Sequence, residues 1–132
     1  MNNSQLNTLV GIPFRSGGRD PASALDCWGL VAHVLASRGR VIEEDWHPNS
    51  VSDVAALIRR EIDSPFWVKA PRQPWLVAAM GNRRRIYHVG VTLPCGKIMH
   101  TTPTSGVVVQ PDLAIKSRYS RLEYYRSIQW DA

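Results

Sequence analysis

Leu25-Asp26-Cys27-Trp28-Gly29-Leu30-Val31 is the stretch on which the fold turns. Asp26 carries the short carboxylate that accepts from the free N–H groups of a first helical turn, so it marks an N-cap and puts Cys27 at the first helical position. A thiol there faces unpaired N–H groups and the positive end of the helix dipole, both of which favour a thiolate. Set among Leu25, Trp28, Leu30 and Val31, the same cysteine also fits a second description, a small buried hydrophobe. The rest of the chain has to choose between nucleophile and packing residue.

Downstream, Leu30, Val31, Val34 and Leu35 recur at helical spacing and Gly39 follows as a stop, which predicts a helix from Cys27 to about Arg38. A second helix is expected to start near Ser50 to Asp53, with Val54, Leu57, Ile58 and Ile62 on one face, and to end at Ser64-Pro65. Beyond Pro71 and Pro74 the period shortens to that of strands, expected at 76–80, 86–93, 97–100, 107–110 and 122–128, with a short helix between Pro111 and Ser117. Helices first and a small antiparallel sheet after them make an α+β domain.

At 132 residues, with 44% hydrophobic and 20% charged residues and no repeat, the chain reads as one domain spanning 1–132, the first eight residues being loosely held. Its two cysteines, Cys27 and Cys95, show no metal-knuckle or disulfide-framework spacing, so both are expected as free thiols, with no metal and no cofactor. The start, Met1-Asn2-Asn3-Ser4-Gln5-Leu6, lacks the basic and apolar regions of a signal peptide, and no apolar run reaches spanning length. The expectation is synthesis in the cytoplasm and no membrane span. A net charge of +5 suits an anionic partner. The run Arg83-Arg84-Arg85 follows the turn signal Gly81-Asn82, without a recognition helix or stacking aromatics, so it reads as a solvated loop and no nucleic-acid partner is expected.

In Ile86-Tyr87-His88-Val89-Gly90-Val91-Thr92-Leu93, alternation puts Ile86, His88, Gly90 and Thr92 on one face. A three-residue turn at Pro94-Cys95-Gly96 then pairs Leu93 with Lys97 and sets Gly90 opposite His100, leaving His88 diagonal to His100 on the same face. Gly90 keeps the space between the two rings open. A cysteine nucleophile needs a base within reach, and the base needs a polar group on its other nitrogen. Cys27, His88 and His100 fill those roles in that order.

These residues resemble the NlpC-type cell-wall peptidases, whose signature is a Gly-Gly loop, Asp-Cys-x-Gly at a helix start, His-Val-Gly on a strand and a second His twelve residues on. Here they are Gly17-Gly18, Asp26-Cys27-Trp28-Gly29, His88-Val89-Gly90 and His100, and the likeness spans about residues 9 to 128. The resemblance implies a papain-like fold and hydrolysis of amide bonds in peptidoglycan stem peptides through a Cys27-His88-His100 triad and a thioester. Substrate contacts are expected from Phe14, Gly17, Gly18 and Trp28. Trp28 after the cysteine, Gly11-Ile12-Pro13-Phe14 and the 53–67 segment look most like the branch found in phage tail assembly and tail-tip proteins. That branch implies a virion tail component acting at the bacterial wall, with tail proteins as partners. Delivery as a secreted toxin would instead imply an immunity protein.

Two positions depart from the family pattern. Phe14 stands where many members carry a tyrosine and cannot donate a hydrogen bond, and Gln73-Pro74-Trp75 replaces the usual Pro-Gly-Asp before the first central strand. These keep a non-catalytic tail or wall-binding module as the alternative, beside an acyltransferase or deubiquitinase-like enzyme of the same fold. Cys95 in the turn, His33 on the helix and His47 in a polar loop are read as structural or solvated, and Trp46, Trp67, Trp75 and Trp130 as core or groove packing.

Overall fold

The computed structural model describes residues 1–43, 46 and 48–131; His47 lies outside them. The chain begins with helix α1 (Asn3–Asn7), where the Asn2 side chain and Gln5 form a reciprocal capping box and Leu6 is buried. The start that composition left loose therefore has a local reason to be helical. A two-stranded ribbon follows, β1 (Arg19–Asp20) against β2 (Ala24–Leu25), and leads directly into helix α2 (Cys27–Ala36). Helix α2 stops two residues before the expected Arg38, where Gly39 turns left-handed at φ 77°.

Helix α3 (Val51–Ile62) has the expected cap, Ser50, whose side chain accepts from the Asp53 N–H, and it buries Val54, Ile58 and Ile62. After it come β3 (Trp67–Lys69), β4 (Val77–Gly81), β5 (Ile86–Leu93), β6 (Lys97–Thr102), β7 (Gly106–Pro111), α4 (Asp112–Arg118) and β8 (Arg121–Ser127). The strands β3 to β8 form one antiparallel sheet in the order β3-β8-β4-β5-β6-β7. The expected hairpin register is present: Leu93 pairs with Lys97, and Gly90 with His100. The strand β3, absent from the sequence reading, is only three residues long and attaches to the sheet through β8.

One face of the sheet carries the main core. Val77, Ala79, Val89, Val91 and Met99 pack there against Leu30, Val31, Val34 and Leu35 of α2 and Val54 and Ile58 of α3. The other face is thinner: Ala78, Met80 and Ile98 cluster with Ile115 of α4 and Tyr119 just after it. One alternation breaks. Met80 pairs with His88 but Gly81 with Ile86, so Tyr87 is an extra residue in a bulge. Ile86 consequently joins the helix-side core with Val89 and Val91, not the His88 face where period-two counting put it.

The Gln73-Pro74-Trp75 entry to β4 is held by Thr92. Its hydroxyl donates to the Gln73 carbonyl at 2.6 Å and accepts from the Leu76 N–H at 2.8 Å. Trp75 takes a left-handed backbone at φ 66° with the Arg38 guanidinium 4.3 Å above its ring.

Candidate active site

The helix that carries Cys27 is anchored by Asp26, which is fully buried. Its Oδ1 accepts from the Gly29 N–H at 2.7 Å and from the Arg19 guanidinium at 2.7 Å, and its Oδ2 from the Gly17 N–H at 2.9 Å. One carboxylate thus caps α2 and ties the Gly17-Gly18 loop to it. The spacing Asp-Cys-x-Gly has a steric cause as well, because a Cβ at Gly29 would collide with the Gly18 carbonyl oxygen.

The β5–β6 ladder ends at the pair Gly90–His100. Beyond it, a cavity of about 200 Å³ is lined by Tyr87 and His88 of β5, Thr101 and Thr102 of β6, and Cys27 from α2. This is how a thiol on the helix side and an imidazole on the opposite face come to one opening. Backbone N–H groups of Val89, Trp28 and Cys27 act on the sulfur and lower its pKa, but burial first and the Asp26 charge second outweigh them and push the thiol up to about 12. The Cys27 thiol therefore rests neutral.

His88 Nε2 lies 2.8 Å from His100 Nδ1, and His100 Nε2 lies 2.7 Å from Gln110 Oε1. The amide oxygen can only accept, so His100 carries its proton on Nε2 and offers a lone pair at Nδ1. That lone pair takes the proton of His88 Nε2, which leaves His88 Nδ1 unprotonated and available as a base. Burial, then the neighbouring His100, then Arg118 push the His88 pKa down to about 3. His100 is lowered by burial against the opposing Gln110 contact. The Tyr119 ring stacks on His88 at 5.6 Å and 22°, fixing its plane from the other side. Gly90 is needed between the rings: a Cβ there would lie 2.8 Å from Ile98 Cγ2 and 3.0 Å from His100 Cβ.

Of the residues expected to touch substrate, Phe14 lines the cavity. Trp28 does not. It is 1% exposed and points into the core, stacked on Trp46 at 5.4 Å and edge-on to Trp67 at 5.9 Å. Gly17 and Gly18 lie behind the helix start as its support, with the Gly17 N–H spent on Asp26 and the Gly18 carbonyl accepting from Arg19. Cys95 is exposed in its turn, and His33 is in the last turn of α2. The sequence reading missed Gln110, Tyr119 and Arg118. Among the described residues no cluster of three or more His, Cys, Asp or Glu is placed to hold a metal ion, and no helix is long and apolar enough to cross a membrane.

The profile of the NlpC/P60 family matches residues 11–126. The chain belongs to the NlpC/P60 family. Among solved structures it is similar to the NlpC/P60 domain of the peptidoglycan hydrolase SagA, with a TM-score of 0.59 at 20% identity, covering 95% of this chain and 94% of that one. At that identity the likeness establishes the NlpC/P60 papain-like fold. No curated protein matches the chain.

Proposed function

We propose that this NlpC/P60 domain is a cysteine peptidase that cleaves amide bonds in the stem peptides of peptidoglycan. The observation that carries the reading is the hydrogen-bonded series Gln110-His100-His88, which leaves a lone pair on an imidazole lining the same cavity as the Cys27 thiol. The thiol and imidazole rest neutral, so the proton passes from Sγ to His88 Nδ1 as the sulfur attacks the carbonyl carbon. The N–H groups at the start of α2 are suited to the negative oxygen that forms. His88 then returns the proton to the leaving amine, and a water deprotonated by His88 hydrolyses the thioester. The peptidoglycan hydrolase SagA shares the fold, which supports the wall as substrate. The sequence likeness to tail-tip proteins supports delivery by a phage tail.

A second reading, a tail-assembly or wall-binding module without turnover, is favoured by Phe14 and by a thiol held near 12. Incubation of the protein and Cys27→Ala with sacculi and soluble muropeptides, followed by mass spectrometry, decides between them. New amine termini made only by the intact thiol are expected. Products from neither protein would sink the peptidase.

A further inference from the structure

The run Arg83-Arg84-Arg85, which its sequence describes as a solvated loop, is held as a closed turn. Asn82 Oδ1 accepts from the Arg84 N–H at 2.9 Å and the Arg85 N–H at 3.1 Å, and the Asn82 N–H donates to the Arg85 carbonyl at 3.1 Å. The turn sets Arg84 and Arg85 on the wall of a second cavity, of about 170 Å³, which Arg59 and Asp63 enter from the end of α3 and Arg121 from the start of β8. Four arginines thus face one aspartate. Arg121 shares Glu123 with Lys69, at 3.0 and 2.8 Å, while Arg59, Arg84 and Arg85 have no ion pair among the described residues. Guanidinium groups converging from a helix, a turn and a strand suit a tetrahedral phosphate, whose oxygens face several ways, better than a planar carboxylate that one fork can saturate.

This cavity adjoins the candidate active site. Val51 and Val54 of α3 line the one and Arg59 the other; on β5 the division falls between Ile86 and Tyr87. Val54 and Arg59 stand about 7.5 Å apart along the helix. The Tyr125 ring is buried with its hydroxyl donating to Glu123, so it offers no face for a base to stack on. None of the exposed large apolar residues lines the cavity, so it presents no anchor for a bilayer.

We propose that the arginine cavity binds a phosphate ester carried on a glycopolymer of the cell envelope, and so holds the domain on its polymer while the neighbouring cavity works on a peptide. The envelope as the source of the phosphate rests on the peptidase reading, but phosphate binding itself is a property of the cavity.

Titration calorimetry with poly(glycerol phosphate), with a delipidated phosphorylated core oligosaccharide and with polyglutamate of matched charge tests the cavity without turnover. At least one phosphate probe should bind, and which one does identifies the source; polyglutamate should bind about fivefold more weakly. Arg59→Gln and Arg84→Gln should each raise the Kd about three- to fivefold, with Arg84→Lys in between. Lys116→Gln removes one exposed charge on α4 and should change the Kd less than about twofold. Equal losses in Arg84→Gln and Lys116→Gln would mean diffuse charge and overturn the proposal. So would failure of both phosphate probes, or polyglutamate binding as tightly as they do. Tighter, Arg84-dependent binding of a single-stranded oligonucleotide or of phosphatidylglycerol vesicles overturns the envelope glycopolymer as partner. In parallel, Cys27→Ala should bind the phosphate probe unchanged, and Arg84→Gln should cleave phosphate-free soluble muropeptides at the rate of the unaltered protein. Phosphate binding with no cleavage by the intact protein removes the peptidase and leaves the cavity. Cleavage with no phosphate binding does the reverse.

Discussion

The carboxylate of Asp26 and the imidazoles of His88 and His100 are buried at the same site, yet one cluster is charged and the other neutral. A guanidinium and two backbone N–H groups surround the Asp26 carboxylate. Among the described residues the histidine series has no carboxylate hydrogen-bonding partner, and it passes each proton to a lone pair, ending on an amide oxygen. The charged cluster fixes where the Cys27 thiol stands and opposes its ionisation, since Asp26 is the second cause of the raised thiol pKa after burial. In the proposed mechanism the neutral cluster supplies the acceptor for the proton that Asp26 discourages from leaving. Placement and activation are thus assigned to different residues.

Breaking the charged cluster should have the largest effect. Asp26→Ala removes the helix cap and the hydrogen bonds from Gly17 and Arg19 to a fully buried carboxylate, a loss of about 2–4 kcal/mol measured by denaturant unfolding. Asp26→Asn keeps a capping oxygen without the charge, so it should lose less and lower the Cys27 pKa, read from thiolate absorbance. Equal losses and an unmoved thiol would erase the distinction between holding and charging.

The neutral cluster answers to acid. Unfolded His88 takes a proton near the ordinary pH of 6.5, whereas the folded residue resists to about 3. The unfolded state therefore binds more protons in that window, and stability is lost as the pH falls from 6.5 towards 3. From pH 7 to pH 5 the loss from His88 is about 2 kcal/mol. His88→Asn should flatten that part of the profile, and parallel profiles would mean that the imidazole is not held neutral.

The smallest effect is expected at Gln110. Gln110→Leu frees His100 to change tautomer, and kcat should fall about tenfold, roughly 1.4 kcal/mol, with KM little changed. Gln110→Glu sharpens the comparison by making the neutral cluster charged. It keeps the acceptor, raises the pKa of the histidine pair, and should move the acid limb of activity to higher pH.

The hairpin that brings the histidines together was legible because a two-residue period and a three-residue turn leave one register. Asp26 was legible because capping is local chemistry. Gln110 was not, since a lone glutamine on an edge strand has no pattern until the register of β6 and β7 pairs it with Ile98. The bulge at Tyr87, which moved Ile86 to the other core, is marked only on the partner strand, by Gly81, where a Cβ would collide with the Arg85 carbonyl oxygen. Trp28 shows that adjacency in sequence is not adjacency in a site: one step along a helix turns a side chain by about 100°, enough to send it from the cavity into the tryptophan cluster. Gly17 and Gly18 are legible as a motif, but only the Asp26 hydrogen bonds show that they support the helix from behind.

The amide of Gln110 also gives the histidine series a direction. Its two ends differ by one atom type, oxygen against NH₂, and a half-turn of the terminal amide would present donors to His100. Both tautomers would then invert, and His88 would hold its proton on Nδ1, where the proposed mechanism sends the thiol's proton. In the proposed peptidase a single uncharged torsion on the edge strand therefore decides whether the base is ready or idle, with no change in backbone, charge or hydrogen-bond count.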